Sequence, residues 1–230
     1  MPGKRRGEIS VFVLGVLAFG LCGCDEKMPM WTGLGTPPTR LPGVASPAER
    51  IKSLEELAQK APTTPDPGQR EMICRDLAQQ IRKEPDSTLR GEILRTLAAY
   101  GGTTATAVLH VAVQDSDADV RIIVCDLWGR RSDSEAAQVL ADMLASDSNK
   151  DVRMAAARAL GQSHDPIAKR ALGAVLNDTD PAMQHRAMVS LQSSTGKDLG
   201  TDVDRWRQYV KTGEVRDDRS WAQKVFGWYR

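Results

Sequence analysis

Apolar positions return along this chain every three to four residues, and the helices that they predict return at a longer, fixed interval. Between Asp117 and Leu191 the chain resembles itself at an offset of 31 or 32 residues. Val120-Arg121 recurs as Val152-Arg153, Gly129 as Gly161, Leu140 as Leu172, Leu144 as Leu176 and Asp147 as Asp178. A repeat of this size with two amphipathic stretches is a helical hairpin, which stacks on copies of itself to bury its apolar face. The most regular units pair helices at 118–130 and 134–146, and at 150–162 and 165–177. Asp180-Pro181 opens a further helix to about residue 193, in which Met183, Ala187 and Leu191 take the places of Val152, Ala156 and Leu160.

The same period reaches backward. Leu77 and Ile81 stand 32 residues before Leu109 and Val113, so the helix at 69–83 is of the second type, as is 104–113. The helix at 88–100 is of the first type: Leu89-Arg90 aligns with Val120-Arg121, Ile93 with Val124 and Leu97 with Trp128, and Gly101-Gly102 stops it. Ser46, Pro47 and Glu49 give a capping box for a first helix running to Lys60, with Ile51, Leu54, Leu57 and Ala58 on one face. The Pro-rich loop 61–68 that follows is longer than the later ones and marks an atypical, array-capping hairpin. Ser132-Asp133-Ser134-Glu135 predicts another capping box.

Composition changes this picture little. Aromatic residues make up 5% and the net charge is +1, which suits small-residue helix packing and gives no case for nucleic acid. None of Cys22, Cys24, Cys74 and Cys125 forms a CxxC pair, and the three histidines lie far from them, so neither a zinc site nor a disulfide framework is expected.

The N-terminus carries an address. Lys4, Arg5 and Arg6 precede an apolar run of 11 residues, Val11 to Leu21, too short to span a bilayer, and Leu21-Cys22-Gly23-Cys24 closes it. This segment resembles a bacterial lipoprotein signal ending in a lipobox, with Glu8 and Cys22 as departures. The resemblance implies cleavage after residue 23, acyl chains on Cys24, and attachment to a membrane of the cell envelope on its extracytoplasmic face. Removal of residues 1–23 takes three basic residues and one acidic one from totals of 31 and 30, leaving 28 and 29 and a net charge of −1. Residues 24–45 hold Pro29, Pro37, Pro38, Pro42, Gly33, Gly35 and Gly43 without an apolar period, and read as a tether.

The pattern D-x-x-V-R-x-x-A-A-x-A-L-G followed by A-x-x-x-L-x-x-x-L-x-D resembles the HEAT repeat, most closely as NKDVRMAAARALG at 149–161. The copy at 117–129 departs from it with Ile123-Val124 and Leu127-Trp128, and the last copy has Gln184 in place of Arg. The resemblance spans about residues 70–193 and implies an all-α fold, an α-solenoid of four to five stacked hairpins filling 46–200. It further implies a ladder of aspartates and arginines along the stack. The positions here are Asp86, Arg90, Asp117, Asp119, Arg121, Asp151, Arg153 and Asp180, with the aspartates also available to cap helices.

No phosphate loop, nucleophile elbow or metalloprotease motif is present. Asp115, Asp117 and Asp119 resemble the start of a calcium loop, but its sixth-position Gly and distal Glu are missing, and capping is the simpler role. Cys74 and Cys125 sit inside helices and read as inert buried thiols, and His110, His164 and His185 have no nucleophile at a recognisable spacing. The expectation is a non-catalytic, cofactor-free scaffold for an unidentified protein partner, with a bilin-lyase-like enzyme or a self-associating envelope component as alternatives. Solenoids commonly present their second helices to partners, which selects His110, Gln138, Asp142, Lys169 and Arg170 as contacts. Gly173 takes the place of His110 and Ala141 and permits close packing there. The helix at 201–211, with Val203, Trp206 and Val210 on one face, reads as a cap on the last hairpin. For 220–230, which holds Trp221, Phe226 and Trp228, a membrane-interface or partner-binding helix and a further cap both stand.

Overall fold

Nearly every helix here starts at a side chain that accepts hydrogen bonds from its first turn, and these caps set the boundaries. The computed structural model describes residues 45–214, all within one compact unit, Ala45–Arg230. The signal segment, Cys24, the tether up to residue 44 and the stretch 220–230 lie outside the described residues. Among those described there are ten α-helices and no strand. They are α1 (Pro47–Lys60), α2 (Pro67–Ile81), α3 (Ser87–Tyr100), α4 (Gly102–Ala112), α5 (Ala118–Gly129), α6 (Ser134–Ser146), α7 (Lys150–Leu160), α8 (Pro166–Val175), α9 (Pro181–Thr195) and α10 (Val203–Thr212).

Ser46 and Glu49 form the capping box at α1: the Glu49 amide donates to Ser46 Oγ at 3.3 Å and the Ser46 amide donates to Glu49 Oε2 at 2.9 Å. Asp66, Asp86, Asp117, Asn149, Asp180 and Asp202 cap α2, α3, α5, α7, α9 and α10 with their carboxylate or amide oxygen. The Pro-rich loop is shorter than its sequence suggests. A 3-10 turn, Ala61–Thr63, continues α1, and α2, capped by Asp66, starts at Pro67, two residues before the expected Gln69. The second expected capping box does not form. Ser132 is left-handed, at φ 54°, whereas an N-cap needs extended backbone, so Asp133 takes the role and accepts from the Ala136 amide at 2.7 Å. Glu135, freed from the box, turns to other partners described below.

One helix has no cap of its own. Gly101, at φ 69°, ends α3 by donating to the Leu97 carbonyl, and the same glycine opens α4. The missing acceptor comes from α2: Glu71 Oε1 accepts from the Thr104 hydroxyl at 2.5 Å. That bond, with a further one to the Thr104 amide and the nearby Arg75, holds the Glu71 carboxyl below its ordinary value although desolvation works the other way.

The first helices α1, α3, α5, α7 and α9 stack in one layer, and the second helices lie in the other, so the fold is an α-solenoid of helical hairpins. The first layer supplies most of the core: Leu89, Ile93 and Leu97, then Val120, Val124 and Trp128, then Val152, Ala156 and Leu160, then Met183, Ala187 and Leu191, all at most 1% exposed. The layer is tight because small residues stand where helices meet. A Cβ on Gly129 would lie 2.9 Å from Ala159 Cβ, and one on Gly161 would lie 3.0 Å from Ser190. These two glycines recur at the repeat interval because close stacking of α5 on α7 and α7 on α9 requires both. α10 packs on α8 and α9, burying Trp206 and Tyr209, and its Val210 sits on the bare Cα of Gly173. It takes the place of the second helix in the hairpin that α9 begins.

Candidate partner-binding groove

The loops between hairpins carry two parallel sets of bridges. In the first, the Arg90 guanidinium clasps Asp115 with bonds of 2.9 and 2.7 Å, and Arg121 clasps Asp147 with bonds of 2.8 and 3.0 Å. Each arginine also reaches the loop before its own helix: Arg90 donates to the Pro85 carbonyl, and Arg121 to the Asp115 carbonyl at 2.7 Å. Arg153 repeats this backbone contact with the Asp147 and Ser148 carbonyls, and Gln184 reproduces it with the Asp178 carbonyl. The acids of this ladder are therefore not the capping aspartates. Asp86, Asp117 and Asp180 each turn Oδ1 to amides of their own helices. A second carboxylate two residues upstream takes the arginine, and it also accepts from the amide of the capping residue, as Asp115 does from Asp117 and Asp147 from Asn149. The signal was present, since Asp147 and Asp178 recur at the repeat interval.

The capping aspartates bridge hairpins by another route. The Ser87 hydroxyl bonds Asp117, Lys150 pairs with Asp180, and in the second layer Ser134 donates to Asp165 at 2.5 Å. In each case the first side chain of one helix meets the cap of the next helix in its layer. Asp119 and Asp151 are exposed in the first turns of α5 and α7, where negative charge suits the helix dipole.

The two layers differ at one place. α2 packs on α4, α6 on α8 and α8 on α10, but α4 and α6 scarcely meet. Two departures from the repeat account for it. Trp128 stands in a column otherwise filled by Leu97, Leu160 and Leu191, and its fully buried indole carries the extra bulk into this interface. Above it stands His110, in the column that holds Ala141 and Gly173 elsewhere. Its ring meets the indole edge-on at a centroid distance of 4.7 Å, and Nε2–H donates to Glu135 Oε1 at 2.8 Å. Arg131 completes the arrangement. Its guanidinium lies 4.6 Å from the Trp128 ring centroid and donates to Asp133, to Glu135 at 2.9 Å and to the Thr106 hydroxyl at 2.8 Å.

The separation leaves a groove along α4 and α6. Toward the turns within the hairpins it holds about 820 Å³, floored by Ala98, Ala105, Leu109 and Leu127 and edged by Arg95, Arg130 and Arg131. Toward the loops between hairpins it holds about 530 Å³, lined by Val113, Val139 and Met143 with Asp115, Asp142 and Asp147. His110 lines both halves. Arg95 is paired with Glu92, whereas Arg130 is exposed and has no ion pair among the described residues.

The five residues selected as contacts divide accordingly. His110 is in the groove, and Asp142 lines its second half while accepting from Gln138 at 2.9 Å on the exposed side of α6. The half-buried Lys169 places its ammonium 4.3 Å from the Tyr209 ring centroid of α10, outside the groove. Arg170 is exposed on α8, away from the groove. Sequence reasoning missed Arg130 and Arg131, which have no counterpart in the next repeat, where Gln162 and Ser163 stand. The spacing of Trp128 and Arg131, one helical turn apart, is the signal that could have found the second.

Cys125 is fully buried and its thiol is pushed up to about 12 by desolvation, with nearby Asp126 and Asp147 adding to the shift. His164 Nδ1 donates to the Ser194 carbonyl at 2.7 Å, a purely structural bond. Among the described residues no three His, Cys, Asp or Glu side chains are placed to hold a metal ion, and no helix is long and apolar enough to cross a membrane. A search of curated proteins found no match. A family model for HEAT repeats does match, over residues 74–161 and again over 143–226, so both the repeat interval and the stacking of α2 to α10 are those of a known architecture, and the chain belongs to the HEAT-repeat family.

Proposed function

We propose that this protein is a non-catalytic scaffold that holds a partner protein in a bacterial cell envelope, tethered to the membrane through acylated Cys24. The observation that carries the scaffold reading is the α4–α6 groove, an open surface of apolar floor and charged edges within a repeat array. Families of stacked hairpins bind through surfaces of this kind, and the groove lies where the array departs from its own repeat. The membrane part of the proposal rests on the sequence: a basic start, a short apolar run, and Gly23-Cys24 after it.

The test is site-specific photocrosslinking in native membranes. A crosslinking side chain at Ala107, which is exposed in the groove, should yield a discrete adduct that the same group at exposed Glu56 of α1 does not. Identical adducts from both positions, or none from Ala107, would refute the scaffold reading. Cys24→Ala should abolish incorporation of radiolabelled palmitate and release the protein from the membrane fraction. Retention of either would refute the anchor while leaving the scaffold intact.

A further inference from the structure

The groove between α4 and α6 is electrically polarised once its internal pairs are set aside. At the end near the turns within the hairpins, Arg131 is balanced by Glu135 and Asp133, and Arg95 by Glu92, which leaves Arg130 uncompensated. At the other end, Asp115 and Asp147 are clasped by Arg90 and Arg121, which leaves Asp142, whose neighbour Gln138 is neutral. Between these charges the floor is apolar, with Ala98, Ala105, Leu109 and Leu127 on one side of His110 and Val139 and Met143 on the other. Along α6 the groove runs from Glu135 to Ser146, about 16 Å at the helical rise. That is the length of about five residues of extended chain.

We infer that this groove accepts an extended segment of a partner protein with a fixed polarity: an acidic residue at Arg130, aliphatic side chains over the floor, and a basic residue at Asp142. Charge complementarity selects this occupant. A uniformly acidic peptide places like charge at Asp142, and a uniformly basic one places it at Arg130. The apolar floor disfavours an all-polar peptide, which would desolvate it without filling it. The inference rests on the scaffold reading and assigns it a site and a ligand chemistry.

Peptide display tests it. Randomised seven-residue segments are selected on the full-length chain, and the enriched sequences are synthesised in forward and charge-exchanged order, the acidic and basic residues trading places. The expected consensus has one acidic end, an aliphatic middle and one basic end. By fluorescence anisotropy it should bind roughly five- to tenfold better than its charge-exchanged form, as two exposed charge pairs allow. The double variant Arg130→Glu/Asp142→Lys should invert that preference. Both side chains are exposed, so its thermal unfolding should match the parent, which separates loss of recognition from loss of fold. No enrichment, a consensus without polarity, or a preference unmoved by the double variant would overturn the inference. A specific adduct from Ala107 in membranes alongside any of these results would leave the scaffold and its groove standing and remove only this ligand chemistry.

Discussion

Arg121 is the residue through which three successive hairpins are fastened, and its removal should be costly in a way that can be isolated. Its guanidinium donates to Asp147 in the next loop and to the Asp115 carbonyl in its own, and the pair is 12% and 7% exposed. Asp147→Ala deletes both bonds from Arg121 and the bond from the Asn149 amide, and it leaves a guanidinium largely out of water without its counterion. Hydrogen bonds to charged groups contribute roughly 1.5–3 kcal/mol each but do not add within one network. Stranding one member of a buried pair costs about 3–5 kcal/mol, and the residual exposure here lowers that to about 2–4 kcal/mol. Arg121→Met should cost a similar amount. The double variant should cost clearly less than the sum, with a coupling of about 1.5–3 kcal/mol, because the second substitution removes the stranded partner. Urea unfolding of the four proteins followed by circular dichroism measures this, provided the dependence on denaturant stays constant. Single-variant losses under about 1 kcal/mol, or additive losses, would refute the ladder as a stabilising device. Burial works to raise the Asp147 carboxyl, but the Arg121 bonds and the Asn149 amide outweigh it and hold the group below its ordinary value. A carboxyl depressed by folding stabilises the protein above its unfolded value of about 3.9 and loses that contribution as pH falls through the folded value. The gap between wild type and Asp147→Ala should therefore be full at pH 6 and shrink below about pH 4.

Two further perturbations probe the stacking itself. Gly129→Ala places a methyl 2.9 Å from Ala159 Cβ, with the Ala159 Cα close behind, so α5 and α7 must part and the melting midpoint should fall by an amount equivalent to about 1–3 kcal/mol. An unchanged or raised midpoint would show that the first layer is looser than its geometry. Cys125, fully buried with its thiol pushed up to about 12, should resist a maleimide at pH 8 in the folded protein and react on unfolding in urea. Labelling in native buffer at the unfolded rate would contradict its burial.

The array was legible because its determinants are periodic. Val120 and Val152, or Gly129 and Gly161, meet equivalent neighbours one repeat apart, so one interval read from the sequence places both. Cap residues were legible for the same reason, except where backbone intervened: Ser132 has the right side chain for a cap and the wrong φ, which only the turn reveals. The capping role of Asp86, Asp117 and Asp180 was legible, but the acid that takes each arginine was not, because two polar residues two apart, Asp115 and Asp117 or Asp147 and Asn149, divide the work, the first holding the arginine and the second the helix amides. The contact of Lys169 with Tyr209 was not legible because its partner comes from α10, forty residues on. Arg130 and Arg131 carry no period at all, and although Arg131 is one turn from Glu135, only the folded interface brings it to Thr106.

A single column of the second layer links the repeat to the groove. The position occupied by His110, Ala141 and Gly173 faces the next second helix in the stack, and with Ala78 as its counterpart in α2 it is small at every copy but His110. At Gly173 the neighbouring helix α10 comes in close enough for Val210 to rest on backbone. At Ala141 the helices α6 and α8 pack with a shallow groove of about 330 Å³ between them. At His110, with Trp128 against it, α4 and α6 are held apart and the open space grows to about 820 Å³ on one side and 530 Å³ on the other. Stacking alone favours the small residue at all three sites, since a histidine there forgoes helix–helix contact that alanine or glycine would permit. The imidazole recovers part of that loss by bonding Glu135 and covering the indole, so the separation is held by specific contacts and is not a packing defect. The same two substitutions that break the repeat thus build the groove, and with it the surface on which the scaffold reading rests.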